Sequence, residues 1–323
     1  MAGRPRVLAI VGAAAALAVA GTVTITWLQT RGETTQRPGA VTKPRAGVPP
    51  LTLDFGVRSD REAVALTQGE TLLRDGKRAS ALAIFERYHS VDAQIATAFA
   101  RWPADGLDTL KRLVAAHPRN AAAQLHLGWA LLWTGRAADA GNQFLRVATA
   151  FADTPQAVTA EDVLYPKFAP NLPTLVLGVG LPSAPSAADQ LRILAQDAQN
   201  ADVAAKLRYG LALWTLRRRV SAERQFEAAA ALDPKDAVAQ TAAAVALFTK
   251  RNPVRAFSRL GPLTAVFPHA AVVRLHLGTL LLWTGGLKKA ADQFELAAAD
   301  EPNSPFAKAA RQFLSILPAT GTK

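Results

Sequence analysis

The chain contains no cysteine, one methionine and three tyrosines among its 323 residues. Without cysteine it can form neither a disulfide framework nor a thiolate metal site. The five histidines are His89, His117, His126, His269 and His276, and none belongs to a His-Glu-x-x-His zinc pair. A Gly-x-Ser-x-Gly elbow and a P-loop are also missing. Gly178-Val179-Gly180 is the nearest thing to a nucleotide-binding turn. Pro182 and Pro185 interrupt the chain directly after it, and no βαβ unit surrounds it. These absences point to no cofactor, no metal and no catalytic group.

Acidic residues are scarce beside basic ones, 25 against 37, for a formal charge of +12. Residues 1–50 hold six Lys or Arg and one acid, so +5 of that excess lies at the N-terminus. The remaining +7 is spread over 273 residues, too thin for a nucleic-acid footprint. Half of the residues are hydrophobic, which suits a packed helical protein and argues against disorder.

Val7–Leu28 is an uncharged run of 22 residues preceded by Arg4 and Arg6. At about 1.5 Å per residue, a helix of this length crosses a hydrocarbon core of roughly 30 Å. The positive-inside rule keeps residues 1–6 cytoplasmic and places the body at the outer face of a cytoplasmic membrane. Arg31, Arg37, Lys43 and Arg45 on the far flank pull the other way. Ala18-Val19-Ala20 offers a signal-peptide cleavage site, but the apolar run continues to Trp27 and Leu28, as a signal anchor does. Residues 29–57, rich in Pro, Gly and Thr, read as a linker holding the body off the membrane.

Beyond the linker the sequence repeats. Pro234, Pro268 and Pro302 are 34 residues apart. The same skeleton precedes each: Gly210, Ala222, Phe226 and Ala229; then Ala244, Ala256, Leu260 and Leu263; then Gly278, Ala290, Phe294 and Ala297. Small residues at this spacing let two helices cross closely, and proline ends each repeat. Gly69, Ala81 and Phe85 carry the skeleton earlier, as do Gly128, Ala140 and Phe144. A shorter repeat lies between them, its first helix ending at Trp102-Pro103. Leu125-His126-Leu127-Gly128 recurs as Leu275-His276-Leu277-Gly278, 150 residues later. Leu131-Leu132-Trp133-Thr134-Gly135 recurs as Leu281-Leu282-Trp283-Thr284-Gly285. Such identity implies duplication.

The period and skeleton resemble the tetratricopeptide repeat (TPR) family. The resemblance runs from about Ser59 to Leu317, except for a proline-rich insert at 153–185, and implies an all-α, right-handed solenoid of six or seven helix hairpins. Repeats are expected over 58–152 and 186–317, the latter closed by a capping helix near Pro305–Ile316 and succeeded by a tail at 318–323. Ser59-Asp60-Arg61-Glu62 reads as the capping box that opens the first helix.

In this family the first helices of the pairs line a concave groove that binds peptides, often through a Lys/Asn/Arg carboxylate clamp. Here the groove positions are apolar: Leu125, Trp129 and Trp133, then Leu207, Leu211 and Trp214, then Leu275 and Trp283. They imply an apolar groove for a protein or peptide partner, although the tryptophans would also serve as packing between repeats. Arg217-Arg218-Arg219 falls in a turn between helices and reads as a solvated turn or a docking patch for an acidic partner or lipid headgroups. The insert contains an apolar run, Leu172–Leu181, which a solvated loop would not. It is expected to fold back onto the groove, with Leu175, Val176 and Leu177 buried, as a permanent filler or as a displaceable lid. The expected function is a membrane-anchored, non-catalytic scaffold. A competing reading makes the insert, with Asp153, Glu161, Asp162 and Asp189 in or beside it, a ligand or enzymatic site.

Overall fold

The computed structural model describes residues 44–317, so Val7–Leu28 and the greater part of the expected linker lie outside the described residues. Among the described residues, all regular structure is helical, and no helix is long and apolar enough to cross a membrane. The helices form two compact units that divide after Leu164.

The first unit contains α1 (Arg61–Arg74), α2 (Arg78–Phe85), α3 (Val91–Ala100), α4 (Gly106–Ala116), α5 (Ala121–Trp133), α6 (Ala137–Ala150) and α7 (Pro155–Leu164). The second contains α8 (Ala187–Asp197), α9 (Val203–Thr215), α10 (Arg219–Leu232), α11 (Ala237–Ala246), α12 (Val254–Val266), α13 (Ala271–Trp283), α14 (Leu287–Asp300) and α15 (Pro305–Ile316). Three hairpins form each array, α1/α2, α3/α4 and α5/α6 in one, α9/α10, α11/α12 and α13/α14 in the other. A single helix closes each, α7 on α6 and α15 on α14.

Two kinds of helix start alternate. The first helix of nearly every hairpin is entered from extended chain through a side-chain cap: Asp60, Ser90, Asn120, Asp202 and Asp236 each accept from a backbone N–H in the first turn. Such a cap contributes about 1 kcal/mol. Asp60 caps α1, so the expected capping box is displaced by one residue from Ser59. The second helices have no side-chain cap and start from a tight reversal instead. In that reversal Gly76, Gly135 and Gly285 take positive φ, and the next amide bonds back five residues, Lys77 to Leu72, Arg136 to Leu131 and Gly286 to Leu281.

The skeleton residues meet where the two helices of a hairpin cross. The small residue meets chiefly the aromatic ring sixteen positions on; the alanine twelve on, which the spacing suggests, joins it at Gly278, where the Ala290 carbonyl would lie 3.1 Å from an added methyl. A methyl group on Gly128 or Gly278 would lie 2.7 Å from Phe144 or Phe294, and one on Gly69 or Gly210 would be closer still to Phe85 or Phe226. Those four phenylalanines are fully buried. The α11/α12 hairpin solves the same crossing with Ala244 and Leu260: the added methyl on one helix accompanies a smaller side chain on the other.

Two segments depart from the expected boundaries. Residues 155–164 of the insert are helical, because Pro155 stands at the helix start, where its missing N–H costs nothing, and Thr154 caps Ala157. Residues 44–57, expected to end the linker, are packed onto the first unit: Val48, Leu51, Leu53 and Phe55 pack against its core.

Replacing Gly278 with Ala is expected to destabilise the protein by about 1–3 kcal/mol through overpacking. Adding Phe294→Leu, which copies the Ala244/Leu260 solution, should recover part of that loss in denaturant unfolding. A strictly additive double variant would show that the crossing is not the shared constraint.

Candidate functional site

The concave face of the second unit is covered by residues 169–178 of the same chain. This strap enters at the C-terminal end of α13, where the Ala169 N–H donates to the Trp283 carbonyl at 3.0 Å. It passes α9, whose Trp214 Nε1–H donates to the Pro173 carbonyl at 2.9 Å. It then crosses α13, where the Val176 N–H donates to His276 Nε2 at 3.0 Å. It leaves at α15, with Pro305 and Phe306 beside Gly178. Leu175, Val176 and Leu177 are 6, 4 and 3% exposed and belong to the main core of the unit. The expectation that the insert folds onto the array and buries these three side chains agrees with this geometry.

The first unit has a strap of the same design. The Arg45 N–H donates to the Trp133 carbonyl at 2.8 Å, and the Thr52 N–H donates to His126 Nε2 at 3.2 Å. Arg45 and Ala169 thus take one position and Thr52 and Val176 another, seven residues on in each strap. Between them, Gly47 and Asn171 both adopt positive φ, and Pro49 and Pro173 are both buried. The shared pattern is an apolar residue, proline, any residue, Leu, any residue, Leu: Val48-Pro49-Pro50-Leu51-Thr52-Leu53 and Leu172-Pro173-Thr174-Leu175-Val176-Leu177. This repetition was present in the sequence at an offset of 124 residues, outside the 34-residue frame. The proline and the left-handed residue keep each strap out of the helical region, so it lies extended and offers its amides to the array.

The two histidines serve the straps identically. His126 Nδ1 lies 2.7 Å from the Ala122 carbonyl, and His276 Nδ1 lies 2.7 Å from the Val272 carbonyl. A carbonyl only accepts, so Nδ1 carries the proton and Nε2 is left to accept the strap amide. Both rings are fully buried, and no charged group acts on either. Desolvation therefore lowers both pKa values to about 4, against the smaller opposing effect of the backbone hydrogen bond. A second proton would set an N–H donor against the strap N–H and break the contact.

The candidate groove residues thus lie beneath the chain's own straps rather than at an open surface. Leu207, Trp214, Leu275 and Trp283 are buried in the second unit and Leu125 in the first, with Leu211, Trp129 and Trp133 half-buried. Trp129 packs edge-on against both Trp133 and Phe144, at 5.8 and 5.2 Å. The face is apolar, as expected, but it is filled. The basic run is also broken up. Arg219 is buried as the first residue of α10, Arg217 is half-buried at the positive-φ position that glycine takes in three other hairpins, and only Arg218 is exposed. No three-arginine patch forms, because the reversal points successive residues in different directions. Among the described residues no group of three or more His, Asp or Glu side chains is placed to hold a metal.

Deleting Leu172–Leu181 should destabilise the second unit severely. The deletion would uncover its core and leave His276 Nε2 and the Trp214 indole N–H without partners, each worth about 1–3 kcal/mol. A variant with an unchanged melting curve would turn the strap into a loose cover. The histidines make the same contact pH-dependent. Because their pKa values are depressed in the fold, the unfolded chain binds more protons between about pH 4 and 6.5. Stability is complete above pH 6.5 and falls through that window, by up to about 1.4 kcal/mol per pH unit for each histidine. His276→Gln should flatten the decline by one histidine's share in unfolding curves taken from pH 7 to 4.

No family model matches the chain, and no curated protein does. Solved structures do. A tetratricopeptide repeat protein from Parabacteroides merdae aligns at 12% identity over 79% of this chain and 98% of its own, with a TM-score of 0.34. Yeast Tom70 aligns at 14% identity over 95% of this chain and 58% of its own, with a TM-score of 0.33. The TPR2AB domain of yeast Sti1, solved as a complex with pHSP90, aligns at 13% identity over 79% of this chain and 96% of its own, with a TM-score of 0.27. The chain's own features are a 34-residue period, a Gly–Phe or Ala–Leu pair at the hairpin crossings, capped first helices and uncapped second helices, which give each unit an array of helical hairpins of the tetratricopeptide-like kind that the sequence resembles.

Proposed function

We propose that this protein is a non-catalytic scaffold, carried at the outer face of a cytoplasmic membrane by Val7–Leu28, that binds other proteins through its exposed helical surfaces. The observation that carries the reading is the pair of straps. In a repeat array the concave face is the natural peptide site. Here a buried histidine and a helix-end carbonyl already hold a segment of the same chain on each such face. Burying Leu175, Val176 and Leu177 stabilises the second unit by about 1.5–3 kcal/mol per side chain as an upper figure. Displacing the strap for a partner would forfeit that and uncover its polar partners as well. The straps therefore act as permanent fillers, and partner recognition falls to the outer faces and to the open places around the straps.

Two measurements test this. Protease added to spheroplasts should digest the repeats while the cells remain intact. Digestion only after lysis would reverse the orientation. Cross-links formed to partners on intact membranes should map to exposed lysines such as Lys111, Lys288 and Lys308, not to residues 168–180. Because 168–180 contains no lysine, a photoreactive side chain placed at Thr174 reports on the strap, and partner cross-links from that position would make the strap a displaceable lid and the concave face the binding site.

A further inference from the structure

The two units repeat one design, so a place where they differ calls for explanation. That place is the mouth of the strap. In the first unit a cavity of about 450 Å³ opens there, lined by Pro44, Arg45, Arg78, Trp102, Pro103 and Trp133. Arg45 lies over the Trp133 ring, with its guanidinium carbon 5.1 Å from the ring centre. Arg78 donates one N–H to the Trp102 carbonyl at 3.0 Å. Neither guanidinium meets a carboxylate among the described residues, and both side chains are exposed. The Trp133 indole N–H is buried without a hydrogen-bond partner, as is that of Trp283 in the second unit, so the arginines and not the indoles set the two units apart. In the second unit the equivalent of Arg45 is Ala169, the equivalent of Arg78 is Arg219, at 9% exposure, and the equivalent of Trp133 is Trp283, at 4%. One cation is missing there, and the other is buried with the indole.

We propose that the cavity of the first unit binds a flat molecule bearing a single carboxylate, with the carboxylate held between Arg45 and Arg78 and the apolar body against Trp133 and Trp102. The planar donor fork of arginine matches a carboxylate, no acid among the described residues lies within ion-pair distance of either guanidinium, and each keeps N–H donors beyond the one Arg78 gives to Trp102. Tryptophan and proline walls favour a flat apolar body. A phosphate or sulfate dianion would meet the same two forks but would leave the indole and proline walls without a partner. The site lies at the start of the strap and of α2, not on the first-helix faces beneath the strap. Because Arg45 belongs to the strap, the site rests on the strap staying docked.

The test is a calorimetric titration of the full chain in non-ionic detergent with 2-naphthoate, its uncharged amide and inorganic sulfate. Saturable binding of 2-naphthoate, without competition from the amide or sulfate, is expected. Arg45→Ala and Arg78→Ala should each weaken it by about tenfold, the loss of a charged hydrogen bond. Arg192→Ala, an exposed change in the second unit, should leave it unchanged. Arg78→Lys, which keeps the charge but not the fork, covers the case in which Arg78→Ala fails to fold, and it should also bind more weakly. Absence of saturable 2-naphthoate binding, binding indifferent to both arginines, or equal competition by sulfate would each overturn the proposal.

Discussion

The whole structure depends on how closely two helices of a hairpin approach. A glycine without a side chain on one helix accepts the edge of a phenylalanine ring from the other, and the added methyl of any larger residue would collide with that ring. This contact occurs in four of the six hairpins and fixes their geometry. It leaves the first helices presenting small and apolar residues, chiefly Ala, Val and Leu, toward the concave side. Such a face cannot remain bare in water without inviting association. The straps are a consequence of the crossings: once the hairpins are this close and their concave sides this apolar, something must cover them.

A covering segment brings a second requirement, because its backbone has donors that cannot be left unpaired in an apolar setting. A buried imidazole answers it well. One nitrogen is committed to the helix carbonyl four residues back, which fixes the tautomer and aims the other nitrogen as an acceptor at the strap. The hydroxyl of serine or threonine, by contrast, rotates and can turn to the helix carbonyl instead, as Thr279 does toward Leu275. The histidines are therefore structural, and their cost is sensitivity to acid.

Much of this was legible in the sequence, and the reasons differ from element to element. The 34-residue period, the small and aromatic skeleton and the closing helix at Pro305 were readable because packing constraints recur at fixed spacings. The apolar run at Leu172–Leu181 betrayed its burial, because a solvated loop has no need of four Leu and two Val. The first strap was obscured by its company: prolines and basic residues upstream made 29–57 look uniformly like a linker, although residues 44–57 are packed. His126 and His276 were visible as duplicated positions outside any metal-binding pair. Their partners, 74 and 100 residues away, were not. The Arg217–Arg219 run left its role open because a run of charge says nothing about direction, and a helix-to-helix reversal turns each residue to a different side.

Each strap precedes, in the chain, the helices it covers. Thr52 is made 74 residues before His126, and Val176 is made 100 residues before His276. At about 5–20 residues per second of synthesis, each strap waits several seconds before its acceptor exists. During that interval it is a short apolar segment with nothing to lie on, the kind that pairs edge to edge with its copies on neighbouring nascent chains. The buried proline in each strap removes one amide from any such ladder. The residue that keeps the strap extended in the finished protein thus also keeps the unfinished one from joining its neighbours.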